Sequence, residues 1–232
     1  MQRNWSKSIK PNEPIIVAVD GLSASGKGTI GKIISKYLKF QYLDTGLLYR
    51  AVAYKFLTSK SIISSDKAVF FAKNIEPEDL DNPELRFESC GNLASKLAEV
   101  DKIRQELILF QRNFPHKKLG AVLDGRDIGS VIFPNAQIKF FVTADLALRA
   151  QRRKEQYKKM GQEYSVRDIT NKLEQRDKRD KNRKVSPLIC TPDAIVYDNS
   201  EVSFEKLNKE IIEIVEKKYK SLKLKINIKK MS

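Results

Sequence analysis

The stretch Gly21-Leu22-Ser23-Ala24-Ser25-Gly26-Lys27-Gly28-Thr29 decides the fold of this chain. It follows the apolar run Ile15-Ile16-Val17-Ala18-Val19, which is typical of a buried strand, and it precedes apolar residues at helical spacing. A strand that leads through a glycine-rich turn into a helix directs backbone N–H groups and the helix dipole at one point. The spacing G-x-x-x-x-G-K therefore predicts a phosphate-binding loop.

The residue types in this loop fit the binding of a triphosphate. Gly21 and Gly26 permit backbone angles that other residues avoid, and Lys27 is long enough to reach the β- and γ-phosphates. Gly28 follows the lysine, so the hydroxyl that would stand near Mg²⁺ belongs to Thr29, one place later than in the commonest motif. That variant indicates a kinase of small phosphorylated substrates. We expect ATP to contact Gly21, Ser23, Ala24, Ser25, Gly26, Lys27, Gly28 and Thr29.

The composition fits a globular protein that binds anions. The 232 residues are 41% hydrophobic, which is enough for one buried core with an elaborated second lobe. The net charge of +15 favours nucleotides, nucleic acid or an acidic membrane as partners, and charge alone does not choose among them. Many lysines lie after Ile211, where a solvated tail is the simpler interpretation and nucleic-acid contact the alternative.

Cysteine content and hydropathy indicate the cellular compartment of the protein. Cys90 and Cys190 are the only cysteines, and they form no C-x-x-C pair, which argues against a disulfide framework or a zinc site. Residues 1–14 are polar and lack the apolar core of a signal peptide, and no apolar run approaches membrane-spanning length. We therefore expect a cytoplasmic protein with no membrane or nucleic-acid partner, and a monomer as the default state.

Strand and helix patterns alternate along the chain. Short apolar runs predict strands at 15–19, 39–43, 121–124, 137–142 and 194–197. Such alternation indicates a three-layer α/β fold with a parallel five-stranded sheet, in which ligands bind at the carboxyl ends of the strands.

Other segments carry weaker or longer patterns. Residues 67–73 can add a short helix, and residues 75–83 are predicted as a loop. One long helix is predicted over 88–114, because apolar positions recur at helical spacing up to Pro115. An arginine-rich helix is predicted from Asp145 to the break at Gly161, and Ser165 is predicted to cap a further helix over 166–182. The last helix is predicted over 204–222.

Four motifs, in order along the chain, resemble those of the bacterial cytidylate kinases within the nucleoside monophosphate kinases. They are Asp20 with the phosphate loop, Asp44-Thr45-Gly46 with Tyr49-Arg50, Leu123-Asp124-Gly125-Arg126-Asp127-Ile128-Gly129, and Gln175-Arg176-Asp177-Lys178-Arg179-Asp180-Lys181-Asn182-Arg183 leading to Pro187-Leu188. The phosphate loop alone indicates only nucleotide binding. All four in this order make the resemblance specific, and it covers most of the chain.

The resemblance implies a P-loop kinase fold that transfers the γ-phosphoryl group of ATP to CMP and dCMP with Mg²⁺. Many members carry a small β-sheet insert between Leu57 and Glu88, and this chain has too few residues there to form it, so we predict a shortened NMP-binding lobe and a helical lid. We expect a flexible lead at 1–14, a kinase domain at 15–222 and a basic tail at 223–232. Within the kinase domain we expect the NMP-binding lobe at 58–113 and the lid region at 150–186.

Phosphoryl transfer requires positioning and positive charge rather than a strong base, because charge spreads over the oxygens of the transferring group. Arginine suits this role, since its planar fork donates paired hydrogen bonds to phosphate. The only histidine, His116, lies outside every motif and is interpreted as structural or exposed. The resemblance implies catalytic roles for Lys27, Arg126, Arg179 and Arg183. It implies contacts with CMP from Thr45, Arg50, Ser95, Arg104, Arg126, Asp127, Arg176 and Asp180.

Carboxylates after the strand at 121–124 face the same cleft as the phosphate loop. The resemblance places Asp127 at the cytosine, where a carboxylate accepts from the exocyclic amine and would repel the carbonyl of uracil. Asp124 is either a water-mediated ligand of Mg²⁺, together with Thr29, or a cap of its own turn. Thr45 is either a CMP contact or a helix N-cap, and Arg104 is either a CMP contact or a residue of the helix surface.

The charged run 176–183 is interpreted as a lid that closes over bound polyphosphate. A helix places its arginines on one face at intervals of three and four residues, and its polarity separates it from the core. We expect hydration and self-repulsion to hold the free lid open until an anion binds. The alternative is a solvated helix covered with salt bridges.

Three other functions compete with a CMP kinase. A kinase of UMP, AMP or another small acceptor is the first, and Asp127 argues against UMP. A nucleotide-dependent nucleic-acid-binding protein is the second, motivated by the net charge of +15. A non-catalytic nucleotide sensor is the third, and the intact Lys27 and arginines argue against it.

Overall fold

A computed structural model describes residues 13–59, 65–117 and 120–231. The flexible lead predicted at 1–14 lies almost entirely outside these residues, and so does the side chain of His116. The predictions for these parts of the chain stay predictions.

Five parallel strands form one sheet in the described residues, which confirms the sequence prediction. They are β1 (Ile15–Gly21), β2 (Gln41–Asp44), β3 (Gly120–Gly125), β4 (Ile138–Thr143) and β5 (Ile195–Asp198). They lie in the order β2-β3-β1-β4-β5, with Val17 of β1 beside Val122 of β3 and Ile138 of β4. The direction of winding reverses at β1, which leaves a crevice at the carboxyl ends of β1 and β3 where ligands bind in such sheets.

Helices cover both faces of the sheet. Within the described residues they are α1 (Lys27–Leu38), α2 (Thr45–Thr58), α3 (Ser65–Lys73), α4 (Glu88–Leu97), α5 (Asp101–Asn113), α6 (Leu146–Lys159), α7 (Val166–Asn182) and α8 (Phe204–Met231). Val122 packs with α1 and α8, whereas the next residue, Leu123, packs with α2 to α5. Successive side chains of a strand point to opposite faces, so the sheet has an apolar layer on each side and the three-layer fold is confirmed. No helix in the described ranges combines the length and apolar character that crossing a membrane requires.

Helices α6 and α7 share a small apolar cluster of their own. It is formed by Ala150 and Tyr157 of α6 and by Ile169 and Leu173 of α7. Ser165 begins α7 as predicted, because its hydroxyl accepts from the backbone N–H of Asp168 at 3.0 Å. The pair of helices therefore packs as a unit that is distinct from the two layers on the sheet.

Three predictions of local structure are wrong. The helix predicted over 88–114 is two helices, because Val100 is extended (φ −88°, ψ 110°) and the acidic Asp101 begins a new first turn. The predicted loop at 75–83 contains the 3-10 turn Pro77–Asp81 and the first residue of a second, Pro83–Arg86, and each turn begins with a proline whose fixed φ suits a first helical position. The last helix passes residue 222 and continues to Met231.

The segment between α2 and α4 was predicted to be too short for a β-sheet insert. Between α2 and α4 the described residues contain α3 and the two 3-10 turns, and among them there is no strand of the kind that a β-sheet insert would need. Leu85, in the second turn, is buried in the same apolar layer as α2 and α4. A short helical turn thus packs against α2 and α4 in this segment.

Asp20, in β1, ties the strand to the loop after β3. Its carboxylate is buried and accepts from the backbone N–H groups of Ile128 at 2.9 Å and Gly129 at 2.7 Å. These residues begin a π-helical turn, Ile128–Ile132, that the sequence did not predict. Burial raises the pKa of Asp20 from 3.8 to about 6, although the two N–H groups act in the opposite direction.

We predict that Asp20 makes folding depend on pH. Its pKa is higher in the folded state, so the cost of burying the ionised carboxylate is fully present above pH of about 6 and disappears as the pH falls through 6 toward 3.8. The free energy of unfolding of the wild type, relative to Asp20→Asn, should rise by about 3 kcal/mol over that interval. Urea unfolding of both proteins across this pH range measures the difference, and a difference that is constant with pH would contradict the prediction.

Candidate active site

The phosphate loop lies at the carboxyl end of β1. Gly26 adopts the left-handed φ of 93°, which glycine accepts without strain, and it directly precedes α1. At Gly21 a Cβ would lie only 2.2 Å from the carbonyl oxygen of Val142, so close packing excludes a larger residue there. The side-chain amide of Asn199 donates to the carbonyl of Ser25 at 2.9 Å and holds the far side of the loop.

A cavity of about 650 Å³ opens over the loop. Its size suits a nucleotide, and the cationic side chains that line it suit a polyphosphate. These side chains are Lys27, Lys32, Arg50, Arg86, Arg126, Arg152, Arg153, Lys159 and Arg176. Of the predicted ATP contacts, the lining includes Ser23, Ala24, Gly26, Lys27, Gly28 and Thr29, but neither Gly21 nor Ser25.

The cations around this cavity repel one another. Burial and the charge of Arg126 lower the pKa of Lys27. Burial and the charges of Arg176 and Arg153 lower the pKa of Arg50. Burial and the charge of Arg176 lower the pKa of Arg153 to about 10. Because all of these shifts oppose the charged forms, an anion bound in the cavity would relieve them.

Arg152 and Arg153 line the cavity but were not among the predicted site residues. Arg152 donates through Nη2 to the carbonyl of Asn199 at 2.8 Å, and its buried Nη1 has no hydrogen-bond partner in the described structure. Arg153 packs over the ring of Tyr157, and its Nη2 lies 3.9 Å from Oε2 of Glu88. The sequence signal was the run of arginines after Asp145, which predicted only a helix.

The predicted acceptor residues gather around a second, smaller cavity of about 50 Å³. Its lining includes Thr45, Ser95, Arg104, Arg126, Asp127, Arg176, Asp180 and Arg183. The exception is Arg50, which lines the larger cavity and donates to the carbonyls of Leu85 at 2.7 Å and Phe87 at 3.2 Å. The two cavities share Arg126 and Arg176, so the predicted donor and acceptor sides adjoin.

Charged side chains in the smaller cavity pair with one another. Arg104, which is 1% exposed, forms an ion pair with Asp127, and Nη2 of Arg183 lies 3.7 Å from the other carboxylate oxygen. Arg126 donates through Nε to Asp180 at 2.7 Å. Burial alone would raise the pKa of Asp180, but the charges of Arg126 and Arg176 and the hydrogen bond from Arg126 together outweigh it, and the pKa lies below its usual range. The space is too small for a nucleoside while these pairs are in place.

Two alternatives that the sequence left open are wrong. Thr45 is not an N-cap, because Asp44 caps α2 by accepting from the N–H of Gly46 at 3.1 Å, whereas the Thr45 hydroxyl donates to the carbonyl of Asp124 at 2.8 Å. Arg104 does not lie on the helix surface, because the break before α5 turns it into the interior.

Helix α7 is docked along one face, while its other face is exposed to solvent. Asp177, Asp180 and Arg183 are buried, and Arg179 donates through Nη1 to the hydroxyl of Ser95 on α4 at 2.9 Å. The expectation that hydration and repulsion hold the free lid open is therefore wrong for this structure, since carboxylates compensate the arginines. A solvated helix covered with salt bridges is wrong for the same reason.

Thr29 and Asp124 fit the chemistry of a Mg²⁺ site. Asp124 is buried, accepts from the hydroxyl of Tyr42 at 2.9 Å and does not cap its turn. Burial and the charge of Asp44 raise its pKa, so a nearby cation would offset that repulsion. The described residues contain no cluster of three or more potential metal ligands. Mg²⁺ binds through one or two carboxylates and substrate phosphates, so Asp124 and the phosphates of a bound nucleotide would be enough to hold it.

A family model with the description "Cytidylate kinase" matches residues 17–217. The chain belongs to the cytidylate kinase family. It is similar to curated proteins named "Cytidylate kinase" over nearly their whole length. That of Bradyrhizobium diazoefficiens is 41% identical over 203 residues, with 87% of this chain and 96% of the relative covered. That of Nitrobacter winogradskyi is 42% identical with the same shares, and that of Bartonella henselae is 41% identical, with 83% and 90% covered.

Two solved structures have folds similar to that of this member of the cytidylate kinase family. A gluconokinase from Sinorhizobium meliloti has a TM-score of 0.50 at 11% identity, with 91% of this chain and 97% of that chain covered. An uncharacterised protein from Eubacterium ventriosum has a TM-score of 0.53 at 16% identity, with 88% and 99% covered. Together with the parallel sheet, the likeness to the gluconokinase confirms the kinase fold.

We predict that Lys27→Met lowers phosphoryl transfer by at least about a hundredfold, because the ammonium would stabilise charge on the donor phosphates. Affinity for CMP should be largely unchanged, since Lys27 lines only the larger cavity. ADP release and calorimetric titration with CMP measure the two effects.

The matched control for this prediction is Lys36→Met, which changes an exposed lysine of α1 outside both cavities and should keep full activity. Loss of CMP affinity in Lys27→Met equal to its loss of activity would contradict the assignment of Lys27 to the donor.

Proposed function

We propose that this enzyme transfers the γ-phosphoryl group of ATP to CMP and dCMP and forms ADP with CDP or dCDP. One observation carries the proposal: a phosphate loop cavity and a cavity of acceptor residues meet at Arg126 and Arg176. Phosphates held on either side of these arginines stand end to end, and such positioning supplies much of the catalysis of phosphoryl transfer.

On the donor side, Lys27 and the N–H groups of the loop bind the triphosphate. Arg153 extends the positive charge of the loop along the same cavity. Thr29 and Asp124 would hold Mg²⁺, which neutralises negative charge on the phosphates when it is bound. The bound phosphates then offset the repulsion among the cations of the site, which favours the charged forms of these side chains.

On the acceptor side, binding exchanges one set of ion pairs for another. Arg126 leaves Asp180 for the acceptor phosphate, and Asp180 becomes free to accept from the ribose hydroxyls. Arg104 and Asp127, a cation and a carboxylate side by side, bind the cytosine edge, with Asp127 accepting from its exocyclic amine. Ser95 lies at the same cavity and supplies a hydroxyl.

The transfer step itself needs no general base. An oxygen of the acceptor phosphate is already ionised, so it attacks without losing a proton. Arg179 and Arg183 stabilise the charge that develops on the transferring group. Arg179 now donates to Ser95, and a small shift of α7 would bring it toward the phosphates. The cytoplasmic location and the monomeric state stay predictions from the sequence.

An ADP-release assay across CMP, dCMP, UMP, AMP and GMP tests this function. We expect the highest kcat/KM for CMP and dCMP. Higher values with UMP or AMP would indicate a kinase of another acceptor, and no release with any of them would exclude a nucleoside monophosphate kinase. Salt-sensitive binding of RNA or DNA that no nucleoside monophosphate displaces would favour the nucleic-acid alternative.

We predict that Asp127→Ala lowers the ratio of kcat/KM for CMP to that for UMP by about tenfold or more, because one base-specific hydrogen bond is lost. The same assay with both acceptors measures the ratio. Asp101→Ala, at an exposed carboxylate of α5, is the control and should leave the ratio as in the wild type. An unchanged ratio in Asp127→Ala would remove this residue from base recognition.

A further inference from the structure

Three elements meet at the peptide groups of Ser23, and we call this contact the Ser23 junction. The N–H of Ser23, in the phosphate loop, donates to Oδ1 of Asp177 on α7 at 3.3 Å. Its carbonyl accepts from Nη1 of Arg149 on α6 at 3.1 Å. The same Nη1 donates to Oδ2 of Asp177 at 2.5 Å, and Nε of Arg149 donates to the carbonyl of Ala144 at 2.9 Å.

The junction lies behind the site, not within it. Asp177 and Arg149 line neither of the two cavities, although Ser23 lines the larger one. On α7, however, the residue before Asp177 is Arg176 and the residue three places after it is Asp180, and both line the smaller cavity. One helical turn therefore both holds the phosphate loop, through Asp177, and presents Arg176 and Asp180 to the smaller cavity.

The cost of burying charge argues that the junction serves more than stability. Arg149 and Asp177 are both buried, and well-packed apolar residues often stabilise a fold as much as a buried ion pair does. What the ion pair adds is fixed geometry, because each donor and acceptor has a definite direction. Ser23 uses its N–H for Asp177, so this donor of the loop is engaged by the lid and not by a phosphate.

We propose that the Ser23 junction couples the donor site to the acceptor site, with Asp177 as the positioning residue. When the loop closes around a triphosphate, the Ser23 peptide groups become fixed, and Asp177 fixes α7 in the orientation that points Arg176 and Asp180 at a nucleoside monophosphate. The coupling is reciprocal, as any coupling of two binding equilibria must be. The proposal rests on the proposed function, which assigns these two ligands to the two cavities.

A merely structural junction would behave differently. Its loss would loosen the packing of α6 and α7 and lower the affinity for each ligand by a factor that does not depend on whether the other ligand is bound. Loss of a coupling junction instead changes the ratio between CMP affinities measured with and without the donor. The ratio, not either affinity, is therefore the decisive quantity.

Calorimetric titration with CMP, in the presence and absence of saturating β,γ-imido-ATP and Mg²⁺, measures this ratio. In the wild type we expect CMP to bind about fivefold or more tightly with the analogue present. Asp177→Asn keeps the shape and an acceptor for the Ser23 N–H but removes the charge that faces Arg149. In this variant the ratio should fall to nearly one, while CMP affinity without the analogue is retained.

Asp79→Asn is the matched control. The Asp79 carboxylate also takes one charged donor and one backbone donor, Lys55 Nζ at 2.6 Å and Glu76 N–H at 2.9 Å, and it lines neither cavity. It should keep the wild-type ratio. An unchanged ratio in Asp177→Asn, or the absence of coupling in the wild type, overturns the proposal.

Two further measurements keep the test decisive. If Asp177→Asn does not fold, Arg149→Lys replaces it, since a lysine keeps the charge beside Asp177 but cannot hold the Ser23 and Ala144 carbonyls together. Hydrogen exchange at 176–183 should slow when the analogue alone binds to the wild type, and this protection should be lost in the variant. Failure of the proposed function would look different, because the wild type would then show no preference for CMP as acceptor.

Discussion

Like charges gathered in one crevice govern the arrangement of this molecule. Lys27 and several arginines meet at the carboxyl ends of β1 and β3, where burial and mutual repulsion oppose their charged forms. The protein offsets positive charge with carboxylates, since Asp180 pairs with Arg126 and Asp127 pairs with Arg104. A phosphate chain can take over the same role, so in the free enzyme these carboxylates occupy the place that the phosphates of a ligand would take beside the arginines.

In the function that we propose, substrate binding is an exchange of partners rather than capture by free charges. Breaking the pair of Arg126 with Asp180 leaves two buried ions that both need new partners. A nucleoside monophosphate offers both, a phosphate for the arginine and hydroxyls for the carboxylate. A bare phosphate offers a partner for the arginine only and leaves the carboxylate unpaired. Because an unpaired buried charge is costly, the site favours the whole nucleotide over inorganic phosphate.

The sequence predicted the features that depend on local chemistry. The phosphate loop, the strands and α7 follow from glycine positions, apolar runs and the Ser165 cap. The break before α5 was missed because the apolar period continues across 98–100, while the turn there depends on packing around Arg104. The docking of α7 was missed because composition shows that a helix is polar but not where its partners lie. Arg152 was missed because an arginine-rich helix is compatible with any solvent-exposed position.

The separate packing of α6 and α7 has a consequence for how the molecule unfolds. Their apolar cluster is small, and polar contacts such as Arg152 with Asn199 and Arg179 with Ser95 join the pair to the other helices and loops. Cooperative units of a protein open at different free energies, and the unit with fewer buried apolar contacts opens first. Helices α6 and α7, which carry the arginines, therefore detach together in a subglobal unfolding event. The sheet and the phosphate loop remain folded during this event, and the two helices pack onto them again when the molecule refolds.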